Sequence, residues 1–397
     1  MVKGARLLVI LAIAAALLSV AKFQPCRANN FTSPDNYIQM CYSDLPALYG
    51  AREINMDRWP YASAENAIEY PVITGLVIWA TGKAISDPAG YKQYFDINLV
   101  LLALLFIAVA LLLRRIRPEY AHLLALSPAV VASLYINWDL WAVLPALAAI
   151  ALLKAGRNSL SAAALGIAIA TKFFPIVLLL GVSLFFLTGR KYRELANYFV
   201  ITVLTWLVIN LPVALNNFGG WSRFYRMNFE RENDLGSIWL ALQYLGLPNG
   251  GGIFMTLTLL TTGILLIANF HHHSKNKIEP FQCFALTGFF AVALFVTVSK
   301  VYSPQYVLWL TPLALIAMSS KEQRSAFWIW QGGEALYHFA IWQYLATYTG
   351  AKFGLPEDLY ALAILVRVAA LAYFVTALVR TSVKSGTYPP FSPSISR

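Results

Sequence analysis

Charge is what this chain has least of. Asp, Glu, Lys and Arg make up 12% of its 397 residues, where a soluble globular domain carries about 25%. So few charges cannot cover a water-facing surface, and soluble fold classes are excluded. No Gly/Ser/Pro-rich linker or low-complexity tract divides the sequence, so residues 1–397 read as one membrane domain. No internal repeat is apparent, which argues against a transporter built from repeats. No Walker loop, no GxGxxG after a strand and no GxSxG elbow occurs, so ATP-driven transport and serine hydrolase chemistry lack a basis. No metal-ligand spacing is present either. His271-His272-His273 reads as a loop tract and a weak metal binder at most. No metal or other cofactor is expected, although Asp44, Glu69 and Asp139 leave a divalent ion open.

Cysteine is scarce, at three residues. Cys283 lies in an apolar run and reads as inert packing. Cys26 and Cys41 share one hydrophilic segment, where a disulfide and two free thiols are equally open readings. A bridge there would add roughly 3 kcal/mol in the chain-entropy model.

What the chain has in abundance is apolar sequence, at 59%. Long, nearly uncharged runs recur, as expected of membrane spans. The fold class is therefore an all-α polytopic membrane protein. The net charge of +11 reads as basic loops held in the cytoplasm rather than as a nucleic-acid surface. A layout of about twelve spans places every basic cluster on that side, from Lys3/Arg6 and Arg114–Arg117 to Arg380/Lys384. Its spans lie near 5–22, 95–113, 119–136, 139–153, 159–170, 173–188, 195–213, 253–270, 281–299, 305–319, 325–346 and 359–379. The first apolar run is read as a retained anchor rather than a cleaved signal. Residues 70–83 are apolar, but a span there would invert the Arg114–Arg117 cluster. They are expected to form a re-entrant or interfacial helix on the outer face.

This layout leaves two long external segments, 23–94 and 214–237. Polar residues gather in them and in the outer turns: Asp44, Glu69 and Tyr70, then Asn137 and Asp139, Lys172, Arg223 and Arg226, and finally Lys300, Tyr302 and Gln305. Lys172 and Lys300 break the charge rule. Such cations usually face a cavity and have a partner, or else snorkel to lipid headgroups. With Arg223 and Arg226 they can hold a phosphate through charge-assisted bonds. Asp44 taken alone reads as a helix cap before Leu45-Pro46, and Asp139 has the same reading before Leu140. Glu69 taken alone is a loop acid. Tyr42, Tyr70, Trp138 and Tyr302 are readable as interfacial belt residues or as walls of a sugar site. Within the later spans, Glu334 and His338 stand at i and i+4 and read as a buried polar pair or a cavity lining, with Arg367 the other deep charge.

The run of motifs Asp44-Leu45-x-x-Leu48-Tyr49, Tyr70-Pro71, Asn137-Trp138-Asp139, Thr171-Lys172-x-x-Pro175 and Ser303-Pro304-Gln305-Tyr306 resembles the polyprenol-phosphate-mannose-dependent α-1,2-mannosyltransferases. That is an actinobacterial family of the GT-C glycosyltransferase superfamily. The resemblance spans about residues 40 to 310. It implies a GT-C-like bundle, a polyprenyl-phosphate-linked sugar donor, a lipid or glycan acceptor at the outer leaflet, and a catalytic aspartate in the first external loop. That position is Asp44 here. One departure is that the family often has Tyr-Pro-Pro where this chain has Tyr70-Pro71-Val72, which leaves sugar and linkage open. The chemistry is consistent with a single base. A polyprenyl phosphate is already a good leaving group, and one carboxylate can activate the acceptor hydroxyl. The rival readings are a lipid or sugar-lipid transporter without transferase activity and a non-catalytic scaffold in envelope assembly.

Overall fold

The computed structural model describes residues 2–247 and 279–384, together with 257, 260, 261, 263 and 264. All regular structure among them is helical. The expected span at 253–270 and the His271–His273 tract lie largely or wholly outside the described residues.

Five helices are long and apolar enough to cross a membrane: Gly4–Ala28, Tyr91–Ile116, Tyr192–Asn216, Pro280–Val298 and Glu357–Thr381. Each satisfies its backbone hydrogen bonds internally, which hydrocarbon surroundings demand. Their places in the bundle differ. The apolar stretch of Pro280–Val298 is 83% buried, so it is a central helix, whereas that of Tyr192–Asn216 is 22% buried. The pattern along the latter shows why: Val200, Leu204, Val208, Leu211 and Leu215 recur at helical spacing and are all exposed. That stripe faces lipid.

Shorter apolar helices complete the bundle, among them Leu140–Lys154, Asn158–Thr171 and Phe174–Thr188. The more polar Gln323–Tyr348 helix also reaches from one end to the other. Gln323 Nε2 meets Thr381 at one end, and Gln343 Nε2 donates to the Ile38 carbonyl at the other.

One expected span is not continuous. Residues 119–136 divide into His122–Leu126 and Pro128–Ser133. The residue before a proline avoids the helical region, and Ser127 is extended with ψ 113°. Proline at the next helix's first position has no N–H to lose.

The basic clusters among the described residues share one end of the bundle. Arg117 Nε donates to the Ile316 carbonyl at 3.1 Å, and its guanidinium also meets Gln282. Lys154 donates to the Ile116 carbonyl, and Asn158 to Glu194. The N-terminal turn lies here too, since Gly4 faces the Arg114 guanidinium. The long polar segments meet at the opposite end, called here the site end.

Residues 70–83 do not cross the bundle. Val72–Lys83 is a 12-residue helix, too short for a span of about 20 residues. Thr74 Oγ1 donates to the Thr171 carbonyl at its start. Tyr94 Oη donates to the Ile78 carbonyl in its middle, and Lys83 pairs with Asp57 at its finish. All these partners belong to the site end, so the helix lies along it. Cys26 and Cys41 are joined in a disulfide with Cα atoms 5.8 Å apart. The bond ties the first span to the loop that carries Asp44.

Candidate active site

The site end encloses a cavity of about 400 Å3. Its lining includes Asp44, Tyr70, Asn137 and Lys172, and also Arg231, Ser303, Gln305 and Tyr306.

Asp44 is the first residue of the Asp44–Ala51 helix, but it is not the cap. Ser43 is: its Oγ accepts from the Leu45 N–H and donates to the Tyr135 carbonyl at 2.7 Å. The Asp44 N–H donates to the Ile136 carbonyl at 2.7 Å. Its carboxylate is thereby left to the cavity. Asn137 Nδ2 donates to Asp44 Oδ2 at 2.7 Å and to Tyr70 Oη at 2.6 Å. The Asn137 carbonyl oxygen accepts from the Trp138 N–H, which fixes the amide's orientation. Trp138 Nε1 is held in turn by Asn98 Oδ1 at 2.7 Å.

Burial raises the Asp44 carboxyl above its ordinary value, against hydrogen bonds from Tyr42 and Asn137 and the Lys172 charge, which lower it. The Asp44 charge and then burial hold the Tyr42 hydroxyl well above the usual phenol range. Tyr42 therefore stays a neutral donor. Together these groups make a carboxylate that is oriented, partly desolvated and reachable from the cavity, which suits a general base.

Asp139 lies behind the cavity wall and is fully buried. It precedes Leu140 but makes no side-chain capping bond. Its Oδ1 accepts from Lys172 Nζ and, at 2.6 Å, from Trp309 Nε1, while Oδ2 has no partner among the described residues. The Lys172 ammonium lies 5.4 Å from the Tyr70 ring centroid and 5.3 Å from that of Trp309. Ring faces attract a cation at that range. Trp309 is itself stacked between Tyr306 and Phe174, at 3.7 and 4.2 Å between centroids.

Glu69 reaches the cavity but is not free. Arg52 Nε donates to its Oε2 at 2.9 Å, the other guanidinium nitrogen meets Oε1, and Arg223 stands 3.7 Å away. Arg223 also donates to the Ala64 and Glu65 carbonyls. It clamps the Phe218–Glu230 helix onto the first loop.

Arg223 and Arg226 line a second cavity of about 420 Å3, together with Glu230 and Arg231. Arg231 and Met227 border both cavities. Arg226 donates to the Gly219 carbonyl at 3.3 Å and has no acidic partner among the described residues.

Besides Asp139, two expected residues line neither cavity. Lys300 donates to the Phe229 carbonyl at 3.1 Å and so ties its loop to the last turn of the Phe218–Glu230 helix. Tyr302 is fully buried, with its hydroxyl on Glu334 Oε1 at 2.9 Å. Its ring lies beneath Arg367, whose guanidinium carbon is 3.3 Å from the ring centroid. Glu334 does not pair with His338. Trp342 Nε1 donates to His338 Nε2 at 3.0 Å, and Glu334 binds Arg367. Gln305 lies in the lining as expected. The three acids Asp44, Glu69 and Asp139 each have their own amide or cationic partner rather than a shared centre. Among the described residues no three His, Cys, Asp or Glu side chains converge on one point.

Sequence reading passed over Arg52, the Arg231–Asp234 pair and Trp342. Trp342 stacks with Tyr37 and Tyr42, at 6.3 and 5.5 Å between centroids, and all three line the cavity. A signal was available for Arg231, since it stands three residues before Asp234. None was available for Trp342, which meets Tyr42 only in the fold.

The bundle and this cavity define a multi-pass membrane protein with one polar, acid- and base-lined site at one end. Residues 70–298, over half of the chain, match the model of glycosyltransferase family 87. The chain belongs to that family and is a glycosyltransferase. The match includes Tyr70, Asn137, Asp139, Lys172, Arg223 and Arg226 and begins after Asp44. Among solved structures, ArnT from Cupriavidus metallidurans bound to undecaprenyl phosphate is similar over 95% of this chain and 77% of its own, with 16% identity and a TM-score of 0.47. No curated protein matches the chain.

Proposed function

We propose that this protein is an inverting, GT-C-type transferase that moves a sugar, mannose by resemblance, from a polyprenyl phosphate to a lipid or glycan acceptor. The observation that carries the reading is Asp44, held by Asn137 at 2.7 Å in a cavity that Lys172 and Arg231 also line. The acceptor hydroxyl gives its proton to the Asp44 carboxylate, and its oxygen forms the bond to the anomeric carbon. The bond from that carbon to the phosphate oxygen breaks, and polyprenyl phosphate leaves with the electron pair. One displacement by one base inverts the anomeric centre, whereas retention uses a second carboxylate as nucleophile. Charge developing on the phosphate is met by Arg231 and Lys172, with Arg226 beside them. A monoester leaving group of this kind calls for no metal or organic cofactor.

The site end faces outward in this reading. Two facts support that orientation: the basic clusters at the other end, which favour the cytoplasm, and the Cys26–Cys41 disulfide, which suits an oxidising compartment.

The test is transfer by purified protein from radiolabelled polyprenyl-phosphate-mannose to a membrane lipid extract, with wild type set against Asp44→Asn. The expected result is transfer by wild type and a loss of about 10²–10⁴-fold in the folded variant. Unchanged transfer in the variant would remove Asp44 as the base. Donor moved across a vesicle membrane without any sugar transfer would favour the transporter instead.

A further inference from the structure

The deepest charges of the bundle take no part in the chemistry proposed above. Glu334 and Arg367 lie on two helices that contact each other extensively, Gln323–Tyr348 and Glu357–Lys384. Their side chains are 1% and 0% exposed. Burying an ion pair in this way is not an efficient source of stability, because apolar residues of similar volume often do as well or better.

What the pair does hold is loop backbone. Arg367 Nε binds Glu334 Oε2 at 2.8 Å. Its two terminal nitrogens donate to the carbonyls of Tyr302 and Ser303, at 2.5 and 3.1 Å. Glu334 Oε1 accepts from Tyr302 Oη at 2.9 Å and from Trp330 Nε1 at 3.1 Å. The guanidinium is sandwiched between the rings of Tyr302 and Tyr337, at 3.3 and 4.1 Å.

The anchored loop carries a second one with it. Tyr302 N–H donates to the Leu235 carbonyl and Asp234 N–H to the Lys300 carbonyl, at 3.1 and 2.8 Å. Gly236 N–H donates to Tyr360 Oη at 2.9 Å, and that hydroxyl meets Tyr337 Oη. Gly236 has φ +76°, and a Cβ there would strike the Tyr302 carbonyl. The two loops are thus locked to each other and to the same pair of helices. Between them they supply Arg231, Leu235, Ser303, Gln305 and Tyr306 to the cavity.

We infer that Glu334 and Arg367 are positioning residues: they set the place of the two loops that line the cavity together with Asp44. The consequence for catalysis rests on the transferase reading, but the anchoring itself does not. An apolar replacement of the whole pair leaves no charge stranded, so it separates anchoring from folding. Arg367→Met with Glu334→Leu is the variant of choice, and Arg367→Lys keeps the charge while losing the fork that spans two carbonyls.

Three quantities are to be measured: melting in detergent, amide hydrogen exchange, and kcat and KM for transfer from polyprenyl-phosphate-mannose. The double variant is expected to melt close to wild type. Its exchange should rise in 231–237 and 299–306 alone, and kcat should fall about 100-fold, the scale of a misplaced reacting partner. KM should change less than kcat. Arg367→Lys should lose about tenfold in kcat, since a point charge restores part of the anchor. Wild-type exchange in both segments, or wild-type kcat in the double variant, would overturn the inference. Loosened segments in a protein whose wild type transfers no sugar would support the anchoring and remove the transferase reading alone.

Discussion

Two buried ion pairs flank the cavity, and they are finished to different degrees. In the Glu334–Arg367 pair both carboxylate oxygens are hydrogen-bonded and the guanidinium directs its donors to the acid and two carbonyls. No part of it reaches the cavity. In the Asp139–Lys172 pair one carboxylate oxygen has no partner among the described residues, and the lysine side chain is 14% exposed and borders the cavity. Lysine is a compact point charge on a flexible stem, whereas arginine is a planar fork. The sealed pair therefore suits holding backbone still, and the open pair suits meeting a charge that comes and goes.

Cutting each pair on one side sharpens this contrast. Arg367→Leu strands Glu334 in the bundle interior and is expected to destabilise by about 3–5 kcal/mol, read from thermal melting in detergent. Lys172→Met should cost less stability, about 1–3 kcal/mol, because Asp139 keeps the Trp309 N–H and the removed ammonium bordered the cavity, from which water can enter in its place. Its larger effect should be on turnover, about 10²-fold, if Lys172 meets the leaving phosphate as proposed. Equal destabilisation by the two substitutions would erase the distinction between a sealed and an open pair.

The smallest effect concerns the hydrogen bond from Asn137 to Asp44. Burial raises its carboxyl, so the native protein holds this proton more tightly than the unfolded chain does. Its stability contribution is full below the unfolded value and is lost as pH rises through the raised native value. Under the proposed role of Asp44 as base, catalysis runs the other way, because a base works only when deprotonated. Asn137→Ala removes a hydrogen bond that lowers the carboxyl. The acid limb of the transfer profile should move to higher pH, with the plateau falling less than about tenfold. An unmoved limb would mean that Asn137 does not act on Asp44.

Much of the fold was legible in the sequence because lipid enforces one simple rule. Apolar runs such as 95–113 and 359–379 appear as the helices Tyr91–Ile116 and Glu357–Lys384. The charge argument that kept residues 70–83 from spanning agrees with a 12-residue helix lying along one end. The run 119–136 failed because Ser127-Pro128 breaks a helix locally, whatever its hydropathy. At the site, Asp44, Asn137 and Tyr70 were each visible as polar residues of the outer turns, and they meet. Lys300 and Tyr302 were visible for the same reason and do not line the cavity. Sequence marks a residue as lying at one end of the bundle but not the direction of its side chain. Glu334 and His338, four residues apart, looked like partners, yet Glu334 pairs with Arg367 across the bundle and His338 with Trp342 one turn along its own helix.

The sequence by itself determined that the chain lives in a membrane, roughly where it crosses, that its basic loops share one end and that its polar residues gather at the other. These follow from hydropathy and charge, which act on each segment separately. Only the tertiary structure decided that Ser43 rather than Asp44 caps a helix, that Lys172 answers Asp139, and that Arg367 reaches across to the Tyr302 and Ser303 carbonyls. Those outcomes depend on which side chains helices far apart in sequence bring within hydrogen-bonding distance, and no local pattern records that.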